Sequence, residues 1–303
     1  MKKHSKKFIF CLLSLALIWF LYPFLKIGFF YFNDPPIDII DCLNDREVDD
    51  ASSVNKTQHG GVFSLSDDLN TSIELIREAL FQAKIGNLKI MPMGARQSMG
   101  KQAFQRGAIL LNTLSMNNIE MDGVFLKAQA GAKWIDIIEF LATQGKTVEI
   151  MQSNCDFSVG GTLSVNAHGW QPARPPVSSS VEQIKVITVD GEVKICSRTQ
   201  NSELFSHVLG GYGLFAIILE VWIRPVPNKI LRSSSREIKI ADFPKAWKEI
   251  TKEGVELAYG RLSVSPNSFF QTVLLNSYKA DNDRVAHDPL PYVIDYKSRF
   301  SRA

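Results

Sequence analysis

Cysteine is scarce and unpatterned in this chain. The four thiols, Cys11, Cys42, Cys155 and Cys196, form no Cys-x-x-Cys pair, and none stands at a metal-ligand spacing from the five scattered histidines. No metal site is expected, and no disulfide framework is indicated. Neither G-x-x-x-x-G-K-[ST] nor G-x-S-x-G occurs, which removes P-loop and serine-hydrolase chemistry. A basic surface is missing too. The formal charge is +3, but residues 1–32 carry Lys2, Lys3, Lys6, Lys7 and Lys26 and no acid. Setting aside that +5 leaves −2 for the rest of the chain, so no nucleic-acid partner is expected.

What is present is ordinary for a globular protein: 45% hydrophobic and 21% charged residues over a length sufficient for two domains. The start is the exception. After seven mostly basic residues, Phe8 to Leu25 form an apolar run interrupted only by Ser14, Tyr22 and Pro23. That is close to the roughly 20 residues a bilayer-spanning helix needs, and longer than the ~7–15-residue core of a cleaved secretory signal. Bulky aromatic residues follow it instead of a small-residue cleavage site. The reading is an uncleaved single-pass anchor over residues 1–32. Lysines before the run and Asp34, Asp38 and Asp41 after it put the N-terminus in the cytoplasm and the rest on the outer, periplasmic side.

Asn33 to Gly61 lacks apolar periodicity, holds seven acids against Arg46 and Lys56, and reads as a linker. Ser66-Asp-Asp reads as the opening of a helix with Ser66 as cap; Leu69, Ile73, Ile76, Leu80 and Ala83 recur at helical spacing until Gly86. Val124 to Ala130 alternates as a strand. Trp134, Ile137, Ile138 and Leu141 mark a second helix, closed by Gly145. Gln183–Val189 and Glu192–Ser197 flank Asp190-Gly191 as a hairpin. A short helix over Ser202–Leu209 precedes an apolar strand from Leu214 to Ile223. Strands and helices mix without regular βαβ alternation, so the fold class is α+β.

Two glycine-rich stretches stand out. One is Ser158-Val-Gly-Gly-Thr-Leu-Ser-Val-Asn-Ala-His-Gly169; the other is Gly94-Ala-Arg-Gln-Ser-Met-Gly100, which follows a short strand. Paired glycines permit positive φ and close backbone approach, and successive peptide N–H groups can form an anion-binding concavity. The Ser158–Gly169 stretch reads either as a diphosphate cradle or as a buried turn between strands, and the Gly94–Gly100 loop as a second place where backbone donors can point at phosphate. Arg96 reads as a phosphate partner or a surface ion pair, and His168 as a hydrogen-bonded loop residue or an acid–base group. Cys155 has nothing nearby in sequence to lower its pKa. Gly211-Tyr-Gly213-Leu-Phe-Ala216 matches G-x-G-x-x-A, but a helix precedes it and a strand follows, which inverts the dinucleotide-binding order.

Together with Leu209-Gly-Gly-Tyr-Gly-Leu-Phe-Ala-Ile-Ile-Leu-Glu-Val221, these stretches resemble, in order and spacing, the FAD-binding domain of the vanillyl-alcohol oxidase superfamily, the PCMH-type flavoproteins. The resemblance covers residues 62–228. It implies FAD lying extended between two subdomains. Gly94, Ala95, Arg96, Gln97, Ser98, Met99 and Gly100 would cradle the pyrophosphate from one side. Gly160, Gly161, Thr162, Ser164, Asn166, His168 and Gly169 would do so from the other, with Gly211, Gly213, Ala216, Ile217 and Ile218 lining the adenosine end. Many relatives carry a flavin-linking histidine in the first loop; this chain has Gln97, which implies a noncovalent flavin. The implied activity is oxidation of a CH–OH group of a sugar, polyol or aldonolactone. Residues 229–303 resemble the opening of the family's substrate-binding cap, shorter than in relatives, so an FAD-binding or merely folded membrane protein without turnover is the alternative. No catalytic base and no electron acceptor can be named.

Overall fold

The computed structural model describes residues 21–22, 24–25, 46–172 and 174–281. Most of the apolar run that reads as a membrane anchor lies outside the described residues. Among the described residues, no helix is long and apolar enough to cross a membrane. The linker reading changes for its second half. Two short strands, β1 (Glu47–Val48) and β2 (Thr57–Gln58), pair antiparallel, and Val48 is buried with Met93, Phe104 and Leu110. This segment contributes one buried apolar side chain and is otherwise held by polar bonds, so hydrophobic periodicity could not reveal it.

The strand β3 (Gly61–Ser64) leads into helix α1 (Leu69–Gly86). The expected cap shifts by two residues: Asp68 accepts from the Thr71 amide at 2.7 Å. The Ser66 hydroxyl instead accepts from the Asp68 amide at 3.1 Å. The helix runs through Gly86 and ends on Asn87, a left-handed residue at φ +48°. Strands β4 (Ile90–Met93) and β5 (Ile109–Asn112) complete a three-stranded sheet in which β5 pairs parallel with both β3 and β4.

A second, antiparallel sheet is built from β6 (Ile119–Asp122), β7 (Phe125–Gln129), β9 (Val181–Ile187), β10 (Val193–Ser197) and β11 (Ile217–Ile223), in the order β10-β9-β11-β7-β6. The strand β8 (Lys146–Val148) lies outside this sheet. The Asp190-Gly191 hairpin forms as read, with Gly191 at φ +76°. Helix α1 is sandwiched between the sheets: Ile76, Ala79 and Ala83 pack on Ile109 and Leu111 of one and Ile187, Ile217 and Leu219 of the other. The opposite face of the five-stranded sheet carries α2 (Trp134–Ala142), α3 (Val159–Ser164) and α4 (Ser202–Val208), whose Trp134, Ile137, Leu141, Leu163 and Phe205 share one core. Each such fully buried Leu or Ile stabilises the fold by about 1.5–3 kcal/mol relative to exposure.

The Ser158–Gly169 stretch is corrected by the structure. It is not a turn between strands; Val159–Ser164 form a helix, and neither Gly160 nor Gly161 has positive φ. The left-handed residue is Asn166, at φ +47°. Beyond Ile223, β12 (Pro225–Pro227) pairs with β8. A small α+β unit follows: β13 (Leu231–Lys239), α5 (Phe243–Lys252), β14 (Leu257–Leu262) and β15 (Thr272–Ala280), with sheet order β13-β15-β14. It meets the larger unit at Trp170, whose ring lies 4.3 Å from that of Tyr259 and whose carbonyl accepts from the Ala258 amide at 2.8 Å.

Candidate functional site

Three segments converge on one cavity of about 370 Å³. Its first wall is Gly94–Ser98, immediately after β4; its second is Ser158 with Gly160, Gly161, Thr162 and Ser164; its third is Tyr212, Gly213, Ala216 and Ile218. Such a volume falls within the range of about 300–1,000 Å³ typical of small-molecule sites.

Ser158 joins the first two walls. It stands where an N-cap serine would bond its own helix, but its side chain makes no such bond. It turns outward, and Oγ accepts from the Ala95 amide at 3.3 Å. The contact requires glycine opposite: a Cβ on Gly94 would lie 2.1 Å from Ser158 Oγ. Gly160 is needed for a different approach. Its amide donates to the Ala130 carbonyl at 2.8 Å, and a Cβ there would lie 2.9 Å from the Ala130 Cβ. Helix α3 is oriented from below by a buried relay. Trp134 Nε1 donates to Thr162 Oγ1 at 2.8 Å, and Thr162 Oγ1 donates to Gln152 Oε1 at 3.2 Å. The third wall is tied to α3 by the Gly210 and Tyr212 amides, which donate to the Leu163 and Ser164 carbonyls, each at 2.9 Å.

The wall carries unspent donors. The amides of Gly94, Gln97 and Ser98, in half-buried residues, and of the exposed Gly161 have no hydrogen-bond partner among the described residues and are open to the cavity. Four such donors around one cavity suit a ligand rich in acceptor oxygens.

The structure brings Gly94–Ser98, Gly160, Gly161, Thr162, Ser164, Gly213, Ala216 and Ile218 to the cavity. It does not bring Met99, Gly100, Asn166, His168, Gly169, Gly211 or Ile217 there. Met99 is 70% exposed. Asn166 ends α3, and its Oδ1 accepts from the Ser178 amide at 3.1 Å. His168 is exposed, with Nδ1 donating to the Gly169 carbonyl at 3.2 Å. Gly169 and Gly211 are packed on the Met151 and His207 carbonyls, and Ile217 points into the core shared with α1. Arg96 is buried, which removes the surface ion pair, and its Nη1 donates to the Asp49 carbonyl at 3.3 Å. Cys155 does not line the cavity; burial and the neighbouring Asp156 push its thiol up from the usual value. Ser158, Thr113, Gln102 and Tyr212 line the cavity without having been singled out. For Ser158 the available signal was its place directly before the glycine pair. Tyr212 is a non-glycine residue at φ +53°, which only the folded backbone reveals.

Residues 69–197 match the family model described as an FAD binding domain. The matched span takes in the first two walls and ends before the third. Those residues form an FAD-binding domain of the PCMH type. FAD is the cofactor of that domain, and the partnerless amides around the cavity fit its diphosphate. Cytokinin dehydrogenase 2 of Arabidopsis thaliana is 34% identical over 133 residues, covering 43% of this chain and 26% of the relative. Cytokinin dehydrogenase 4 of the same plant is 31% identical over 200 residues, 61% of this chain and 38% of the relative. D-arabinono-1,4-lactone oxidase of Debaryomyces hansenii is 25% identical over 192 residues, 58% and 34% respectively. The chain thus spans between a quarter and two fifths of the length of these relatives. Its G-x-G-x-x-A segment lies between α4 and β11, helix before and strand after, so the Rossmann arrangement is excluded.

Proposed function

We propose that this chain is the flavin-binding part of an oxidoreductase acting on a CH–OH group of a sugar, polyol or aldonolactone. FAD sits noncovalently in the cavity described above. The observation that carries the reading is the convergence of two glycine segments, joined by Ser158, with four amides left without internal partners. Those amides and the Thr162-supported helix hold and orient the diphosphate, and the buried Met93 and Thr113 behind them exclude water. When bound, the flavin supplies a two-electron acceptor for a hydride from carbon. The CH–OH donor is supported by the likeness to an aldonolactone oxidase. A second reading, a cytokinin-class substrate, is favoured by the higher identity to the cytokinin dehydrogenases. A noncovalent flavin is supported by Gln97, whose amide nitrogen has a delocalised lone pair and is no nucleophile. A membrane anchor over residues 1–32, with the domain on the outer side, is supported by the apolar run and its flanking charges.

The test is to reconstitute the purified chain with FAD and add candidate donors without oxygen. Bleaching of the flavin by lactones or polyols is expected. Bleaching by cytokinins alone moves the chain to the second reading, and bleaching by neither leaves a domain that binds flavin without turnover. Acid precipitation of the holoprotein should leave the flavin in the supernatant; flavin in the pellet overturns the noncovalent linkage.

A further inference from the structure

Residues 49–55 do not line the cavity, yet they are bonded along the loop that does. The Ala51 amide donates to the Arg96 carbonyl at 3.0 Å. Asn55 Nδ2 donates to the Met99 carbonyl at 3.2 Å, and the Lys101 amide donates to Asp50 Oδ2 at 3.0 Å. Asp50 is the knot of this arrangement and is only 6% exposed. Its Oδ1 accepts from the amide and the hydroxyl of Ser52 at 3.0 and 2.5 Å. Its Oδ2 accepts from Asn55 Nδ2 at 2.8 Å as well as from Lys101. Burial alone would raise its pKa; the bonds from Ser52, Lys101 and Asn55 outweigh it and hold the carboxylate below its ordinary value.

The loop needs such a hold. Arg96 and Lys101, one at each end of Gln97–Gly100, both lie in the left-handed region, at φ +54° and +63°. Non-glycine residues persist there only when their surroundings over-determine them. Between them, the Gln97 and Ser98 amides make no internal bond of their own, so their direction depends on the bonds that hold the neighbouring Met99 carbonyl and the two left-handed ends.

Resting on the flavin reading above, we propose that Asp50 is a positioning residue for dinucleotide binding. Its carboxylate ties Ser52, Asn55 and Lys101 into one unit and holds residues 96–101 in the conformation that leaves the Gln97 and Ser98 amides for the diphosphate. The N-terminal ribbon is then part of the site's machinery, although it touches no ligand.

The test uses Asp50→Asn in the full chain. The variant keeps the shape and one oxygen for Ser52, but turns an NH2 toward two donors, Asn55 Nδ2 and the Lys101 amide. Losing a charge-assisted bond of this kind corresponds to about a tenfold rise in Kd. That rise is expected for FAD and equally for ADP, which carries the diphosphate without the flavin. Amide exchange of residues 97–101 in FAD-free protein should accelerate, while exchange in α1 stays at the wild-type rate. Glu74→Gln, at an exposed position of α1 outside the loop's bonds, should bind FAD within twofold of wild type. Wild-type FAD affinity together with wild-type loop exchange in Asp50→Asn overturns the proposal. A wild-type chain that takes up no FAD defeats the flavin reading, and the loop exchange alone then decides for or against Asp50. If Asp50→Asn does not fold, Asn55→Ala takes its place: a loop-selective rise in exchange supports the hold, and an unchanged loop refutes it.

Discussion

Gly160 and Gly161 are adjacent in the chain but answer to different neighbours. Gly160 faces the Ala130 backbone, and a side chain there must displace main chain. Gly161 faces the cavity, where a Cβ would meet only Ser158 Oγ, at 3.1 Å. Both have helical φ, so strain in the left-handed region plays no part. Valine at the two positions should therefore separate folding from binding. Gly160→Val should lower stability by about 1–3 kcal/mol, the usual range for overpacking. Gly161→Val should melt close to wild type, since valine is no poorer in a helix than glycine, and should fail to take up flavin because its side chain occupies the wall. Thermal melts and a flavin titration measure the pair. Full flavin uptake by Gly161→Val would remove α3 from the site.

At the scale of the element, β11 is the strand most worth perturbing. All seven of its residues are buried, as expected of a strand covered on both faces, yet Glu220 sits among them with its side chain 5% exposed. It is paired across the sheet with Lys127 of β7 at 3.1 Å and with Lys185 of β9, and both ammonium groups lie over the Trp222 ring, at 5.5 and 5.7 Å. Glu220→Gln leaves two lysines facing each other without their shared anion. Complete burial would make that cost about 3–5 kcal/mol; with each lysine side chain 23% exposed, solvent screening reduces it to about 2 kcal/mol. Burial would lower the Lys127 pKa, but the bonds to Glu120 and Glu220 outweigh it and hold the pKa above the ordinary 10.5. A raised lysine pKa contributes stability at all pH values below its unfolded value and loses it as pH rises through the folded one. The gap between variant and wild type should thus be constant from pH 6 to 9 and narrow only in strong alkali. Equal melting temperatures at neutral pH would show that the network contributes nothing.

For the whole molecule the sharpest expectation concerns residues 1–32. An apolar run of that length holds a protein far more firmly than a surface helix or a single lipid chain. The intact chain should sediment with membranes and resist an alkaline wash, and a chain starting at residue 33 should be soluble. Intact protein found in the soluble fraction overturns the anchor. Among the described residues, the flavin domain and the small β13–β15 unit meet in specific contacts: the Trp170–Tyr259 rings and the Ala258–Trp170 hydrogen bond.

The sequence by itself determined the α+β class, most of the elements and the glycine segments of the site. Apolar spacing reports burial directly, as Ile76, Trp134 and Ile137 do, and a Gly-rich stretch between such elements reports a backbone that something must approach. The order of helix, glycine segment and strand around Gly211–Ala216 was enough to set aside a Rossmann turn. Tertiary structure alone decided which of those residues share a cavity, because side-chain direction in irregular backbone depends on partners far along the chain. Ser158 finds its partner at Ala95 and Asp50 at Lys101, separations over which no local pattern extends. Helix α3 was likewise hidden: two glycines make a poor helix in isolation, and it forms because Ala130 and the Trp134–Thr162–Gln152 relay hold it from both sides.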